Sequence, residues 1–253
     1  MVKTIDLNCD LGESFGAYKI GNDTEIIPLI TSANIACGWH GGDPCVMNKT
    51  VECAKANSIA VGAHPSYPDL LGFGRRAMNL SFDELSAYMI YQIGALEAFC
   101  RAFGIKMQHV KPHGALYNTA AKDELSARAI CEAIQKINPE LILMVPSGSN
   151  MIKIAKEYGI KTACEVFADR AYENDGSLVS RSKPGAIIED NDLAAERVLC
   201  MVRDGYVRSV DGKEIEIQAD TVCVHGDNAH ALELIKKLRA LLCRNNIEIK
   251  NLM

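Results

Sequence analysis

Between residues 109 and 118 the chain reads HVKPHGALYN. His109, Lys111 and His113 alternate there, and in an extended strand alternate side chains share one face. Two imidazoles and an ammonium on one face suit proton transfer or the holding of an anion. Five histidines flank runs that read as strands, namely His40, His64, His109, His113 and His225; only His230 falls inside a predicted helix. Each alone is explained as a buried, satisfied polar residue. Their shared placement predicts that at least three line one site. NCDLGES supplies Asn8, Asp10 and Glu13, and ANIACGWHGGD supplies Asn34, His40 and Asp43. EVFADR adds Glu165, Asp169 and Arg170, and VHGD pairs His225 with Asp227. Asp43 precedes Pro44 and Asp227 precedes a predicted helix, so helix capping accounts for both.

Lys111 sits in an extended run that should face a barrel interior or its mouth, where an unpaired ammonium is costly. It requires an anion, and Glu165, Asp10 or a substrate carboxylate would supply one. Asp10 and Glu13 close together suit acid–base work, or one of them could ligate a metal. Asp10 with two of His64, His113 and His225 would form a carboxylate–bis-imidazole site with an open position. No HExxH spacing selects that set, so whether a metal is bound stays open. PDLLGFGRRAMNL (68–80) places Gly72 and Gly74 before Arg75 and Arg76. That combination suits a mobile lid that grips a carboxylate or phosphate. VSRSKPGAI (179–187) offers Arg181 and Lys183 in the same way, and solvated surface explains either loop equally well. GxxxxGK[ST] and GxSxG are both absent, which removes a P-loop and a nucleophile elbow. Cys9 and Cys37 have apolar neighbours and read as core thiols.

These groups must be carried by elements that converge. KTIDLNCD, ITSANIAC, SIAVGAH, KMQHVKP, LILMVP, TACEVFAD and TVCVHGD read as seven strands. Between them lie predicted helices: one from Pro44 to about Asn57, one from the Ser81–Glu84 capping box to about Phe103, and others at 122–137, 149–158, 190–204 and 228–244. Asp211-Gly212 marks a hairpin inserted at about 205–219. Strands alternating with helices imply a parallel sheet wrapped by helices. Polar groups end nearly every strand, which favours a closed seven-stranded (β/α) barrel, built like a TIM barrel, over an open sheet with one switch point. Without a linker or repeat, 1–253 is expected to be a single barrel domain.

The 253 residues carry a net charge of −5, 48% hydrophobic and 23% charged side chains. That balance gives no electrostatic case for a nucleic-acid or anionic-membrane partner. No apolar run is long enough to cross a bilayer. MVKTIDLNCD lacks a signal-peptide core, and the ten cysteines form no CxxC pair. A reduced, cytoplasmic setting is expected.

NCDLGESFG, ANIACGWHGGDP, VGAHPSYPDLLGFGRR, VKPHGALYN, EVFADRAY and CVHGDN run in order from residue 7 to 228. Together they resemble the successive motifs of the LamB/YcsF family, the 5-oxoprolinase A subunits. The resemblance implies a barrel of the glycoside hydrolase/deacetylase type. It also implies ATP-dependent opening of the lactam 5-oxo-L-proline (pyroglutamate) to L-glutamate, together with B and C partner subunits. ATP would then be a co-substrate handled largely by the partners, in keeping with the missing phosphate loop. On chemical grounds Asp10, His64, Lys111, His113, Glu165 and His225 are expected to be catalytic. Asn8, Glu13, Asn34, His40, Arg75, Arg76, Asp169 and Arg170 are expected to bind substrate. Two other readings stand beside this one: a stand-alone metal-dependent deacetylase or amide hydrolase, and a non-catalytic scaffold of the complex.

Overall fold

A computed structural model of the chain describes residues 3–226 and 231–252. The strands are β1 (Lys3–Leu11), β2 (Ser32–Ala36), β3 (Ala60–His64), β4 (His109–Val110), β5 (Ile142–Pro146) and β6 (Thr162–Phe167). A hairpin of β7 (Tyr206–Arg208) and β8 (Glu214–Glu216) follows, then β9 (Thr221–His225) and β10 (Ile247–Ile249). Strands β1 to β6 and β9 pair in parallel, and β1 pairs with β9 through Asp6↔Thr221 to Asp10↔His225. That last pairing closes a seven-stranded parallel barrel. The hairpin occupies the segment where Asp211-Gly212 forecast it, with β7 and β8 antiparallel. Strand β10 was not foreseen. It adds outside the barrel, beside Lys3–Ile5, and three residues are too few to show a pattern.

The helices are α1 (Asp23–Ile26), α2 (Pro44–Ala56), α3 (Phe82–Ala102), α4 (Gly114–Ala120), α5 (Glu124–Ile137), α6 (Met151–Glu157), α7 (Asn191–Leu199) and α8 (Ala231–Arg244). Capping sets the starts of α2 and α3. Asp43 accepts from the Cys45 and Val46 amides, and Ser81 exchanges bonds with Glu84. The expected helix at 190–204 ends as a turn of π-helix, Cys200–Asp204. The forecast cap Asp227 and the helical His230 lie outside the described residues. Helix α4 was not predicted either, because Pro112 and Gly114 mask its short pattern. Its consequence is that Tyr117 points back to the barrel.

Period-two alternation divides each barrel strand between two environments. On β1, Ile5, Leu7, Cys9 and Leu11 join the apolar core against the helices. Asp6, Asn8 and Asp10 face the other way and bond to side chains of the neighbouring strands β2 and β9 inside the barrel. Val110 and Val222 are likewise core residues, whereas His109 and Thr221 belong to the polar interior. At one level Asp6 accepts from Thr31, Ser32 and Thr221. Above it, Asn8 reaches Glu165 and Asn34 reaches Asp10. The barrel lumen is therefore a cross-linked polar stack, and the hydrophobic core is the shell around it.

Gly62 makes room for that stack. A Cβ there would overlap the His109 ring, which crosses from β4 to donate from Nε2 to the Asn34 amide oxygen. Gly94, in α3, meets nothing within 4 Å. Gly62→Ala should lower the unfolding free energy by roughly 1–3 kcal/mol through overpacking. Gly94→Ala should raise it by about 0.5–1 kcal/mol, as helix propensity dictates. Urea unfolding of the two variants checks both signs.

Candidate active site

Lys111 stands at the centre of the polar stack, 2% exposed. Its ammonium lies 2.8 Å from Asp10 Oδ1 and 2.8 Å from Glu165 Oε1, so both anions proposed from sequence are present. It also donates to Cys223 Sγ at 3.1 Å and lies 5.4 Å from the Phe167 ring centroid. Burial opposes its charge, but Asp10, Cys223 and Glu165 outweigh that and hold it well above the usual lysine range. Burial likewise works against Asp10, yet His64 and Lys111 keep its carboxyl well below the ordinary carboxylate range. Glu165 is fixed from its other side by the Tyr117 hydroxyl at 2.6 Å.

A second cluster sits beside the first. His64 and His113 approach at 2.9 Å, and His40 stacks on His113 with ring centroids 3.7 Å apart. Glu13 Oε1 lies 3.0 Å from His40 Nε2 and 3.6 Å from His113 Nδ1. Burial, with His64 and other nearby charges, pushes His40 and His113 well below the usual histidine range. Opposite them, His225 Nδ1 lies 2.8 Å from Asp169 Oδ1. Burial would raise the Asp169 pKa, but His225, Arg181 and Arg170 lower it.

These groups border one cavity of about 870 Å³. Asp10, Glu13, His64, Lys111, His113, Glu165, His225, Arg75 and Arg170 contribute to its wall. So do Tyr117, Phe167, Lys122 and the Val179–Ser182 stretch with Arg181. Asp169 is drawn in through His225.

Four expected substrate contacts are placed differently. Asn8 and Asn34 are fully buried and committed to Glu165, Thr221, Asp10 and His109, so they position the charged groups rather than meet a ligand. His40 lies behind His113 and holds Glu13. Arg76 is engaged by the buried Asp69 carboxylate, which its Nε meets at 2.9 Å. The loop carrying it is also not the free lid expected from its glycines. Gly74 donates to Asp69 O and accepts from Ala115 N, and Phe73 O meets His113 Nε2 at 2.9 Å. A Cβ on Gly74 would crowd Ser66, His113 and His40, so that glycine serves close approach, not mobility. Arg170 is buried and directs its guanidinium to the Val179 and Ala186 carbonyls, which ties the 179–187 loop over the cavity. Burial and the neighbouring Arg181 lower its pKa to about 10.

The expected metal set of Asp10 with two of His64, His113 and His225 is met in part. Asp10 Oδ2 lies 3.4 Å from His64, which lies 2.9 Å from His113, but the convergent groups also draw in Glu13, His40 and Cys223. Glu13, His40, His64 and His113 form one convergent group, and Asp10, Cys223 and His225 form another. Tyr117 and Cys223 went unrecognised as site residues. Cys223 resembled any core thiol in its apolar run, and only the period-two phase shared with His225 could have flagged it. Tyr117 depends on α4, which the sequence did not disclose.

The LamB/YcsF family pattern matches residues 5–253. The chain is 60% identical to a Clostridium beijerinckii protein that bears the name of the 5-oxoprolinase A subunit, over 97% of this chain and 96% of that one. It is 56% identical, with the same coverage, to the Pyrococcus abyssi protein of that name. The crystal structure of a lactam utilization protein from Thermus thermophilus superposes with a TM-score of 0.92 at 46% identity, covering 98% of this chain and 99% of that one.

Two outcomes are expected. Glu165→Gln strips a buried ammonium of one partner and should cost about 3–5 kcal/mol in urea unfolding. His40, His109 and His113 all titrate below the ordinary histidine range when folded, His109 at about 3, each chiefly through burial. The unfolded chain therefore binds protons below about pH 6.5 that the folded chain refuses, and stability rises with pH in that window. In metal-free buffer, stability should be level above about pH 7 and fall below pH 6.5 by about 1.4 kcal/mol per pH unit for each proton taken up. Unfolding at about pH 5.5 that is no easier than at pH 7.5 would contradict this.

Proposed function

The chain belongs to the LamB/YcsF family, and on that premise we propose that it opens 5-oxo-L-proline to L-glutamate as the A component of an ATP-driven 5-oxoprolinase with B and C subunits. The observation that carries this reading is the whole-length likeness, at up to 60% identity, to relatives named as the A subunits of 5-oxoprolinases. The ten cysteines are free thiols, which suits the reducing cytoplasm.

An unstrained lactam is a weak electrophile, so its carbonyl needs activation. Transfer of the ATP γ-phosphoryl group to the lactam oxygen, with ADP leaving, gives an imidate-like phosphate. Water then adds to that carbon, and the tetrahedral adduct expels the ring nitrogen, which takes a proton, to leave an acyl phosphate. A second water hydrolyses that to glutamate and phosphate. The Lys111 ammonium is suited to meet negative charge on the lactam oxygen or its phosphoryl group. Asp10, held charged by Lys111 and His64, is a weak base at neutral pH and serves as the anchor of Lys111. The better proton acceptor is His225. A carboxylate only accepts, so Asp169 fixes the proton on Nδ1 and leaves Nε2 with its lone pair. His64 and His113 border the same cavity on its other side. Arg75 and Arg181 line the wall and suit the substrate carboxylate. ATP binding is assigned largely to the partner proteins, because this chain lacks a phosphate loop.

Glutamate release from 5-oxoproline and ATP should require the assembled three-component complex. Lys111→Met in that complex should lower kcat by about 10³-fold. Arg181→Ala should act mainly on KM, raising it roughly tenfold. A complex of folded wild-type components that releases no glutamate would refute the reading. The Glu13, His40, His64 and His113 cluster supports one second reading, a stand-alone metal-dependent amide hydrolase. Amide cleavage by this chain without ATP or partners would establish that reading instead.

A further inference from the structure

His64 and His113 face one another through nitrogens that both lack a proton in the neutral rings. His64 Nδ1 lies 2.6 Å from the Lys111 carbonyl oxygen, and His113 Nε2 lies 2.9 Å from the Phe73 carbonyl oxygen. A carbonyl oxygen only accepts, so each of these nitrogens carries its ring's hydrogen. The two remaining nitrogens, His64 Nε2 and His113 Nδ1, are then lone-pair atoms, yet they stand 2.9 Å apart. Two acceptors at that distance repel unless a cation lies between them, either a shared proton or a metal ion that takes its place.

Carboxylates complete the set. Glu13 Oε1 lies 3.6 Å from His113 Nδ1, and Asp10 Oδ2 lies 3.4 Å from His64 Nε2. His40 donates from Nε2 to Glu13 at 3.0 Å and so aims that carboxylate, while its own Nδ1 is buried without a hydrogen-bond partner. In a tetrahedral site with metal–nitrogen bonds of about 2.0–2.1 Å, neighbouring ligand atoms stand about 3.3–3.4 Å apart. The observed separations of 2.9, 3.4 and 3.6 Å bracket that spacing.

We propose that His64 Nε2, His113 Nδ1 and Glu13 Oε1, with Asp10 Oδ2 alongside, form a binding site for a divalent transition-metal ion. Two imidazoles and a carboxylate favour zinc, cobalt, manganese or iron over magnesium or calcium. The surroundings match what such ligands require. Each imidazole donates its other N–H to a backbone carbonyl, which fixes tautomer and ring orientation. The tethered 69–76 loop acquires a purpose, since it delivers the Phe73 carbonyl to His113. The inference goes beyond the lactam assignment and does not rest on it.

The test uses the full chain, stripped with a chelator and titrated with Zn²⁺, then Co²⁺, then Mg²⁺, by calorimetry and by the visible absorption of Co²⁺. No substrate or ATP enters the measurement, so its outcome is independent of the lactam reading. One equivalent of Zn²⁺ or Co²⁺ should bind with a Kd well below about 100 µM, and Mg²⁺ should not compete. His64→Gln and His113→Gln, checked for folding by circular dichroism, should each weaken binding by about 100-fold or more. His225→Gln should leave the affinity within about threefold. Wild-type protein that stays folded and binds neither Zn²⁺ nor Co²⁺ below about 100 µM overturns the proposal, whatever the variants do. Binding that survives His113→Gln but is lost with His225→Gln also overturns it, because the ion would then sit on Asp10, Cys223 and His225.

Discussion

One buried ammonium organises the inside of this barrel. Lys111 has left water and must be matched by charge at hydrogen-bond distance, since the desolvation penalty of an unpaired ion is several kcal/mol. Asp10 comes from β1 and Glu165 from β6, so satisfying a side chain beyond the end of β4 brings three separated strands to one point. The carboxylates have oxygens to spare, and each recruits further donors: Asn34 to Asp10, Asn8 and Tyr117 to Glu165. The asparagines and His109 are thus consequences of the lysine. They complete its surroundings with side-chain hydrogen bonds.

Such a lumen adds little net stability, because buried ion pairs seldom outperform well-packed apolar side chains of the same volume. Cohesion comes from the shell instead, where Leu7, Val110, Val222 and their neighbours pack against the helices. Scaffold and chemistry are separated by the strand's own alternation, one face to each. A charged network held by a rigid shell needs no reorganisation when a substrate develops charge beside it, which is the condition under which fixed dipoles and ions accelerate reactions.

Loops finish what the strands begin. The turn after β3 is clamped by Gln92 of α3, which bonds both the amide and the carbonyl of Ser66. That turn supports the next one: Pro65 O accepts from His113 N, and Gly74 O accepts from Ala115 N. His64, His113 and the Phe73 carbonyl are therefore braced by backbone bonds rather than left to side-chain preference. On the opposite side Arg170 reaches two carbonyls of the 179–187 loop, closing the cavity over His225 and Asp169.

Sequence alone determined the framework. Seven β-rich runs separated by capped helices specify a parallel barrel, because each pattern reflects local backbone preference and burial period. The positions of His64, Lys111, His113, Glu165 and His225 at strand ends follow from the same reading, and so does the need of Lys111 for an anion. Tertiary structure decided which groups meet. Asn8, Asn34 and His40 carry the same polar labels as true cavity residues. The depth at which a strand presents Asn8 and Asn34 depends on register, and the place of His40 on the loop after β2, neither of which a local pattern encodes. Arg76 and Arg75 are adjacent and alike in sequence, yet only the fold brings Asp69 to one and the cavity to the other. The tautomers of His64 and His113 are set by carbonyls 40 or more residues away along the chain. Proton positions on an imidazole are a property of its partners, and partners are chosen by closure of the barrel.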